Sequence, residues 1–242
     1  MRTVFLTAYL LSTLIWLGNV WGEDENDPHA KPPAEDQGKA WVSLFDGKSL
    51  EGWKSTNFGG EGEVAAEKGM LVIDMGSPLS GVTIKDAKKL LKTNYEISLE
   101  ANRLTGNDFF CGLTFPVREK EHCSFIVGGW GGGLCGISCI DGFDASENET
   151  TSFKEFKSNQ WYKVRVLVTD ERLFCWVDDE KLVDVEIKDR KLKTRSEVEL
   201  SEPFGISTFE TKAGIRNLKI RPYTPAKATE EQPAETNAGA GK

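Results

Sequence analysis

The chain has 242 residues, a formal net charge of −8, and 39% hydrophobic and 28% charged residues. These values suit a soluble globular protein of one or two domains. The acidic balance, with no basic run interleaved with aromatics, argues against nucleic acid as a partner and favours a neutral or cationic ligand.

The N-terminus reads as a separate unit. Arg2 precedes an apolar stretch from Val4 to Val20, Val20-Trp21-Gly22 offers a cleavage region, and Glu23 opens a polar segment. The pattern is that of a secretory signal peptide over residues 1–22. An uncleaved N-terminal anchor is the alternative, although a spanning helix needs about 20 apolar residues. Both readings place the folded part outside the cytoplasm: secreted, periplasmic or at the cell surface. Residues 23–40 are rich in Glu, Asp, Pro and Lys, and residues 224–242 in Pro, Ala, Thr, Glu and Gly. Neither stretch has the apolar content for a core, so they read as a disordered linker and tail around a domain at residues 41–223.

The domain opens on Leu44 to Trp53, LFDGKSLEGW, where an apolar run, a turn at Asp46-Gly47 and a Gly-Trp pair suggest a first strand and a tight loop. Ser80 to Lys92, with KDAKKLLK, is the one stretch that suits a short helix or extended loop. Tyr95, Ile97, Leu99 and Ala101 then alternate with Glu96, Ser98, Glu100 and Asn102, and Phe109, Cys111, Leu113 and Phe115 repeat the pattern. Trp161 to Val168 and Leu173 to Val177 form a further pair of apolar runs, and a last strand is expected from about Ile215 through Ile220. Many short strands with Gly-rich turns point to an all-β sandwich or barrel.

Simple antiparallel pairing of the middle strands would put Glu100, Gly112, Thr114, Ser124, Gly136 and Ser138 on one side. Leu99, Cys111, Leu113, Phe125, Val127, Ile137 and Cys139 would then form the core. A face floored by such small residues leaves space for a ligand; an ordinary solvated sheet face is the alternative.

Some residues stand out chemically. Trp130 sits in GGWGGG, Gly128 to Gly133, where glycines cannot cover an indole, so it is a candidate platform for a flat ligand ring. Asp141, Asp144, Glu147 and Glu149 crowd one loop. Oxygen ligands at close spacing can hold calcium, although the spacing is not that of an EF-hand and a solvated acidic loop fits as well. Asn148-Glu149-Thr150 also fits a glycosylation acceptor. No GxSxG elbow is present, and His122, the one histidine within the domain, is expected at the surface in REKEHC. Glu100 is the best single carboxylate for acid–base work, with a surface ion pair as its plainer role. The cysteines at 111, 123, 135, 139 and 175 are odd in number, which suits buried free thiols; Cys123 with Cys139 is the pair to test for a disulfide.

LFDGKSLEGW, Lys68-Gly69-Met70-Leu71, Tyr95 to Glu100 with Gly106-Asn107, Trp161-Tyr162-Lys163-Val164, Trp176-Val177-Asp178-Asp179 and Ile215 to Arg221 occur in an order that resembles the 3-keto-disaccharide hydrolase family. The resemblance implies a concanavalin A-like jelly-roll β-sandwich of two antiparallel sheets and carbohydrate as the ligand. It implies cleavage of 3-keto-glycosides by removal of the C2 proton, elimination at C1 and addition of water. Asp108-Phe109 stands where members often carry Ser-Gly, and Cys123 to Gly129 lacks the acids of the matching family strand. The chain is thus similar to a divergent branch. In this reading Glu100 is the base, Asn107 and Trp130 contact the substrate, and Asp141 or Asp144 holds a divalent cation such as calcium. A carbohydrate-binding module without turnover, or a structural or adhesive surface protein, are the alternatives.

Overall fold

The computed structural model describes residues 39–224. The expected leader, nearly all of the expected linker and the tail beyond Thr224 lie outside the described residues.

The described chain is built of strands: β1 (Val42–Ser43), β2 (Trp53–Ser55), β3 (Val64–Glu67), β4 (Met70–Ile73), β5 (Leu79–Ile84), β6 (Tyr95–Gly106), β7 (Cys111–Pro116), β8 (His122–Gly129), β9 (Leu134–Ser138), β10 (Ser152–Phe153), β11 (Trp161–Val168), β12 (Arg172–Val177), β13 (Glu180–Glu186), β14 (Gly205–Phe209) and β15 (Thr211–Pro222). They form two antiparallel sheets. Sheet I has the order β13-β12-β11-β6-β15-β4-β3, with β1 added against β15, and sheet II the order β10-β9-β8-β7-β14-β5-β2. Two short 3-10 turns, Ala87–Lys89 and Ser196–Ser201, are the only helical pieces among the described residues.

The period-two pattern of the sequence decides the packing, because alternate side chains on a strand face opposite sides. Tyr95, Ile97, Leu99 and Ala101 of sheet I meet Cys111, Leu113, Phe125, Val127 and Ile137 of sheet II in one buried cluster. A fully buried Leu, Ile or Phe contributes roughly 1.5–3 kcal/mol, whereas a surface ion pair contributes about 0–1. The core therefore outweighs the many charge pairs outside it. Tyr95 reaches across it, its hydroxyl donating to the Pro116 carbonyl oxygen. In the β12–β13 hairpin Asp178 takes a φ of 57°, the left-handed conformation usual for a turn glycine.

Four sequence expectations are corrected. Ser80–Lys92 is strand only through Ile84, where Val82 is drawn into the core and Thr83 bonds Thr56 at 2.7 Å; the remainder is loop around the short turn Ala87–Lys89, capped by Asp86. The last strand begins at Thr211, not near Ile215. His122 opens β8 with its ring largely covered and Nδ1 3.3 Å from Glu202, because the following residues run into the sheet. The polar residues do not share a face. β6 pairs with β11 and β15, while β7 pairs with β8 and β14, so the chain changes sheets between Gly106 and Cys111. Glu100 faces outward from sheet I; Gly112, Thr114, Ser124, Gly136 and Ser138 face outward from sheet II.

All five cysteines are buried free thiols, so Cys123 and Cys139 form no disulfide. Burial pushes the Cys111 and Cys135 thiols up to about 12. The native chain is expected to resist a thiol-specific disulfide reagent near pH 8 and to titrate five thiols when denatured. Fewer than five in denaturant without reductant would contradict the arrangement.

Candidate functional site

An open cleft of about 320 Å³ lies on the outer face of sheet II. Ile126 of β8, Phe109 before β7, Leu79 at the start of β5 and Phe209 at the end of β14 line it, and Val198 on the Ser196–Ser201 turn contributes from beyond the strands. Leu79, Phe109, Ile126, Leu134, Ala145 and Val198 form an apolar cluster separate from the main core. The Phe109 and Phe209 rings meet at 5.9 Å.

This is not the small, empty floor that the sequence suggested. A Cβ on Gly112 would come within 3.0 Å of the Phe109 ring, and one on Gly136 within 2.9 Å of the Ala145 carbonyl oxygen. The space above those glycines is filled by the protein itself. Thr114 and Ser124 spend their hydroxyls on each other at 2.8 Å.

Trp130 also lines the cleft and is 46% exposed. Its backbone has φ 47°, and Gly128, Gly131 and Gly132 are also left-handed, a run that non-glycine residues would resist. The turn is tied down from below. Arg103 of β6, only 3% exposed, donates to the carbonyl oxygens of Gly132 at 2.6 Å and Gly128 at 3.3 Å, with its guanidinium 5.0 Å over the Phe110 ring. Burial pulls its pKa down, which nearby Asp108 opposes. Asp108 accepts from the Phe109 amide at 2.7 Å and from the Gly131 amide at 3.0 Å, joining the cleft to the Trp130 turn. Asn107 is exposed beside that turn, its Oδ1 3.1 Å from where a Gly132 Cβ would stand.

The polar lining comes from Asp108, Ser138, Arg195 and Glu197. Arg195 donates to Glu197 at 2.9 Å and also to Asp144, which in turn accepts from the Ser138 hydroxyl at 3.0 Å. The hydrogen bond to Glu197 raises the Arg195 pKa, and the same bond, helped by backbone, holds Glu197 below the usual carboxylate range. Sequence reasoning missed Arg195 and Glu197 because T-R-S-E-V-E is an ordinary charged run until the turn folds it onto sheet II. Asp108 was visible only as a departure from the family pattern.

The structure brings Asn107 and Trp130 to neighbouring turns but not Glu100. Glu100 is engaged by Arg216 at 2.7 Å and Asn217 at 2.7 Å on sheet I. Burial works to raise its pKa, yet those bonds keep it below the ordinary range. The acidic loop is likewise committed. Asp141 accepts from the Lys191 amide at 2.8 Å and from Arg190 at 2.5 Å, Glu149 accepts from Arg190 at 2.5 Å, and Asp144 belongs to Arg195. No group of three or more His, Cys, Asp or Glu that could hold a metal ion occurs among the described residues. The donor set therefore does not fit a divalent cation, and Asp141 and Asp144 are corrected to partners of arginine. Asn148 turns its amide inward, donating to the carbonyl oxygens of Ile137, Phe143 and Asp144, so the glycosylation triplet serves the loop instead.

The 3-keto-alpha-glucoside-1,2-lyase-like domain model matches residues 40–221. The chain belongs to that family. Members are carbohydrate-related β-sandwich proteins, and the two antiparallel sheets are the concanavalin A-like jelly roll. No curated protein matches the chain in sequence. Among solved structures it is similar to the Crh5 transglycosylase in complex with NAG, with a TM-score of 0.50, 9% identity, and coverage of 83% of this chain and 92% of that one. It is also similar to carbohydrate-binding module CBM66 from Bacillus subtilis (0.45, 13%, 70% and 95%). Domain 4 of AbnA, an extracellular arabinanase from Geobacillus stearothermophilus, in complex with arabinotriose, gives 0.45 and 14%, covering 72% and 84%. The first likeness, at that identity, establishes a shared fold.

Replacing Arg103 by Leu leaves two buried carbonyl oxygens unpaired, a loss of about 3 kcal/mol or more. The melting temperature is expected to fall by roughly 5–10 °C for a domain of this size, with Trp130 fluorescence shifting as its turn loosens. An unchanged spectrum and melting point would remove Arg103 from this role. The lowered Glu197 carboxyl sets a pH dependence. A carboxylate held below its ordinary value keeps its pair above that value and loses it as pH falls through the lowered one. Ligand affinity at the cleft is expected to stay flat from about pH 8 to about pH 5 and to decline below about pH 4. A decline centred near neutrality in calorimetry would point to a different group.

Proposed function

We propose that this domain binds carbohydrate, with one sugar ring stacked on Trp130 at the cleft of sheet II. The observation that carries the reading is the half-exposed indole, fixed by the buried Arg103 beside an apolar floor with charged hydrogen-bonding groups within the same cleft. A sugar has an apolar ring face and a polar rim, and this lining offers both kinds of contact. Asp108, Arg195, Glu197 and Ser138 are placed to meet hydroxyls. Membership of a glycoside-directed family and the fold shared with a sugar-complexed transglycosylase support this ligand class.

The state of the carboxylates favours binding over turnover. A general base must be free to take a proton. Glu197 and Asp144 face Arg195, and both oxygens of Asp108 accept backbone amides. Glu100 lies on the other sheet.

Family membership favours a second reading, cleavage of a 3-keto-glycoside. The ketone at C3 acidifies the C2 proton; a base takes it, the C2–H electron pair forms the C1–C2 double bond, and the C1 oxygen departs with a proton, after which water adds. Asp108, in the cleft with Trp130, is the carboxylate placed for that step in this reading.

The test is incubation of the purified chain with matched ordinary and 3-keto disaccharides, following both affinity and product. Binding without release supports a module; release confined to the 3-keto set and lost in Asp108→Asn supports the second reading. Trp130→Ala is expected to weaken binding by about 1 kcal/mol or more, the scale of a ring contact. Undiminished affinity in that variant would reject the platform.

A further inference from the structure

The outer face of sheet I carries charge in an arrangement that the cleft on sheet II does not use. Register places Lys163 of β11, Glu100 of β6 and Arg216 of β15 in one row across the sheet. The next row reads Arg165, Ser98, Lys219. The row after that places Glu96 opposite Arg221.

The acids are taken up within the face. Glu96 is paired with Arg221 at 2.6 Å and Arg165 at 3.4 Å, and Glu100 with Arg216 at 2.7 Å. The middle row has no acid of its own. Its floor is Ser98, a small residue flanked on both sides by cations. These three rows thus carry more cations than acids on a chain whose net charge is −8.

A trough of about 470 Å³ spans this row and the one before it. Ser98 and Glu100 line it together with Lys163, Lys219, Asn217 and the Trp41 indole. Lys163 is exposed, and the Lys219 ammonium stands 4.8 Å from the centre of the Trp41 ring. Lys163 and Lys219 stand in adjacent rows on either side of β6, and the Glu100 carboxylate between them is already taken by Arg216 and Asn217, so the two ammonium groups can hold an anionic group over Ser98. Asn217 and Ser43 add neutral polar contacts, and an indole adds an apolar wall.

We propose that this trough is a second ligand site, separate from the cleft, that takes the carboxylate or sulfate group of an acidic saccharide between Lys163 and Lys219. A neutral saccharide gains only hydrogen bonds from the two ammonium groups and none of the attraction between opposite charges, so the trough favours an anionic ligand. The inference does not depend on the cleft being a sugar site, because no residue is common to the two.

The experiment measures binding of tetragalacturonate, a heparin-derived tetrasaccharide and cellotetraose to the intact chain at low and high salt. The native chain, Trp130→Ala, the double variant Lys163→Gln with Lys219→Gln, and the double variant Lys163→Arg with Lys219→Arg are compared. At least one acidic probe is expected to bind the native chain and Trp130→Ala equally, to weaken tenfold or more in the Gln pair, to persist in the Arg pair, and to weaken as salt rises. Which acidic probe binds identifies carboxylate or sulfate as the preferred anion. Cellotetraose affinity falling as far as that of the acidic probe in the Gln pair, undiminished acidic binding in the Gln pair, or its loss in Trp130→Ala would overturn the proposal. Failure of neutral sugars to bind anywhere would count against the cleft and leave this result standing.

Discussion

A single apolar layer shared by two antiparallel sheets governs this molecule. Each middle strand has one face to bury, and burial of Leu99, Leu113, Phe125, Val127 and Ile137 in the same layer leaves every polar partner pointing away from it. The outer faces of the two sheets are consequently as far apart as a sandwich allows. Glu100 and Trp130 could not share a cleft once β6 and β7 were committed to different sheets.

Arg103 is the link between that layer and the exposed surface. It leaves β6 near the point where the chain changes sheets and passes its guanidinium over Phe110 to the carbonyl oxygens of the Trp130 turn. A glycine-rich turn is entropically loose by nature. Here a buried cation removes that looseness, and Asp108 fixes the turn from the cleft side. The backbone that carries the indole is therefore held in place, which lowers the entropy lost when a ligand stacks there.

Charge in this protein is mostly spent on itself. Arg190 gathers Asp141 and Glu149, Arg195 gathers Asp144 and Glu197, and Arg216 gathers Glu100. For Asp141, Glu149, Glu197 and Glu100 the pairing stabilises the charged form, which suits recognition better than proton transfer. The same bookkeeping sets sheet I apart, where cations outnumber the acids available to them. A family built around glycosides has in this chain two surfaces of different chemistry, one apolar-floored and one cationic.

Period-two alternation at Tyr95–Ala101 and Cys111–Phe115 was enough to determine an all-β chain and to sort most core residues correctly, because strand geometry leaves a side chain only two directions. The loose motifs around LFDGKSLEGW carried the family. Residue spacing also marked Trp130 as uncovered, since glycine neighbours hold no atoms that could bury it. Only the tertiary structure decided which strands are neighbours, and with that which outward residues meet. Nothing local tells β6 to pair with β11 and β15 while β7 takes β8 and β14. Nor does local sequence place Phe109 over Gly112, aim Arg195 at Asp144 and Glu197, or bring Lys163 and Lys219 to the border of one trough. Those contacts join residues far apart in the chain, and their partners are fixed by sheet order, which is a property of the whole fold.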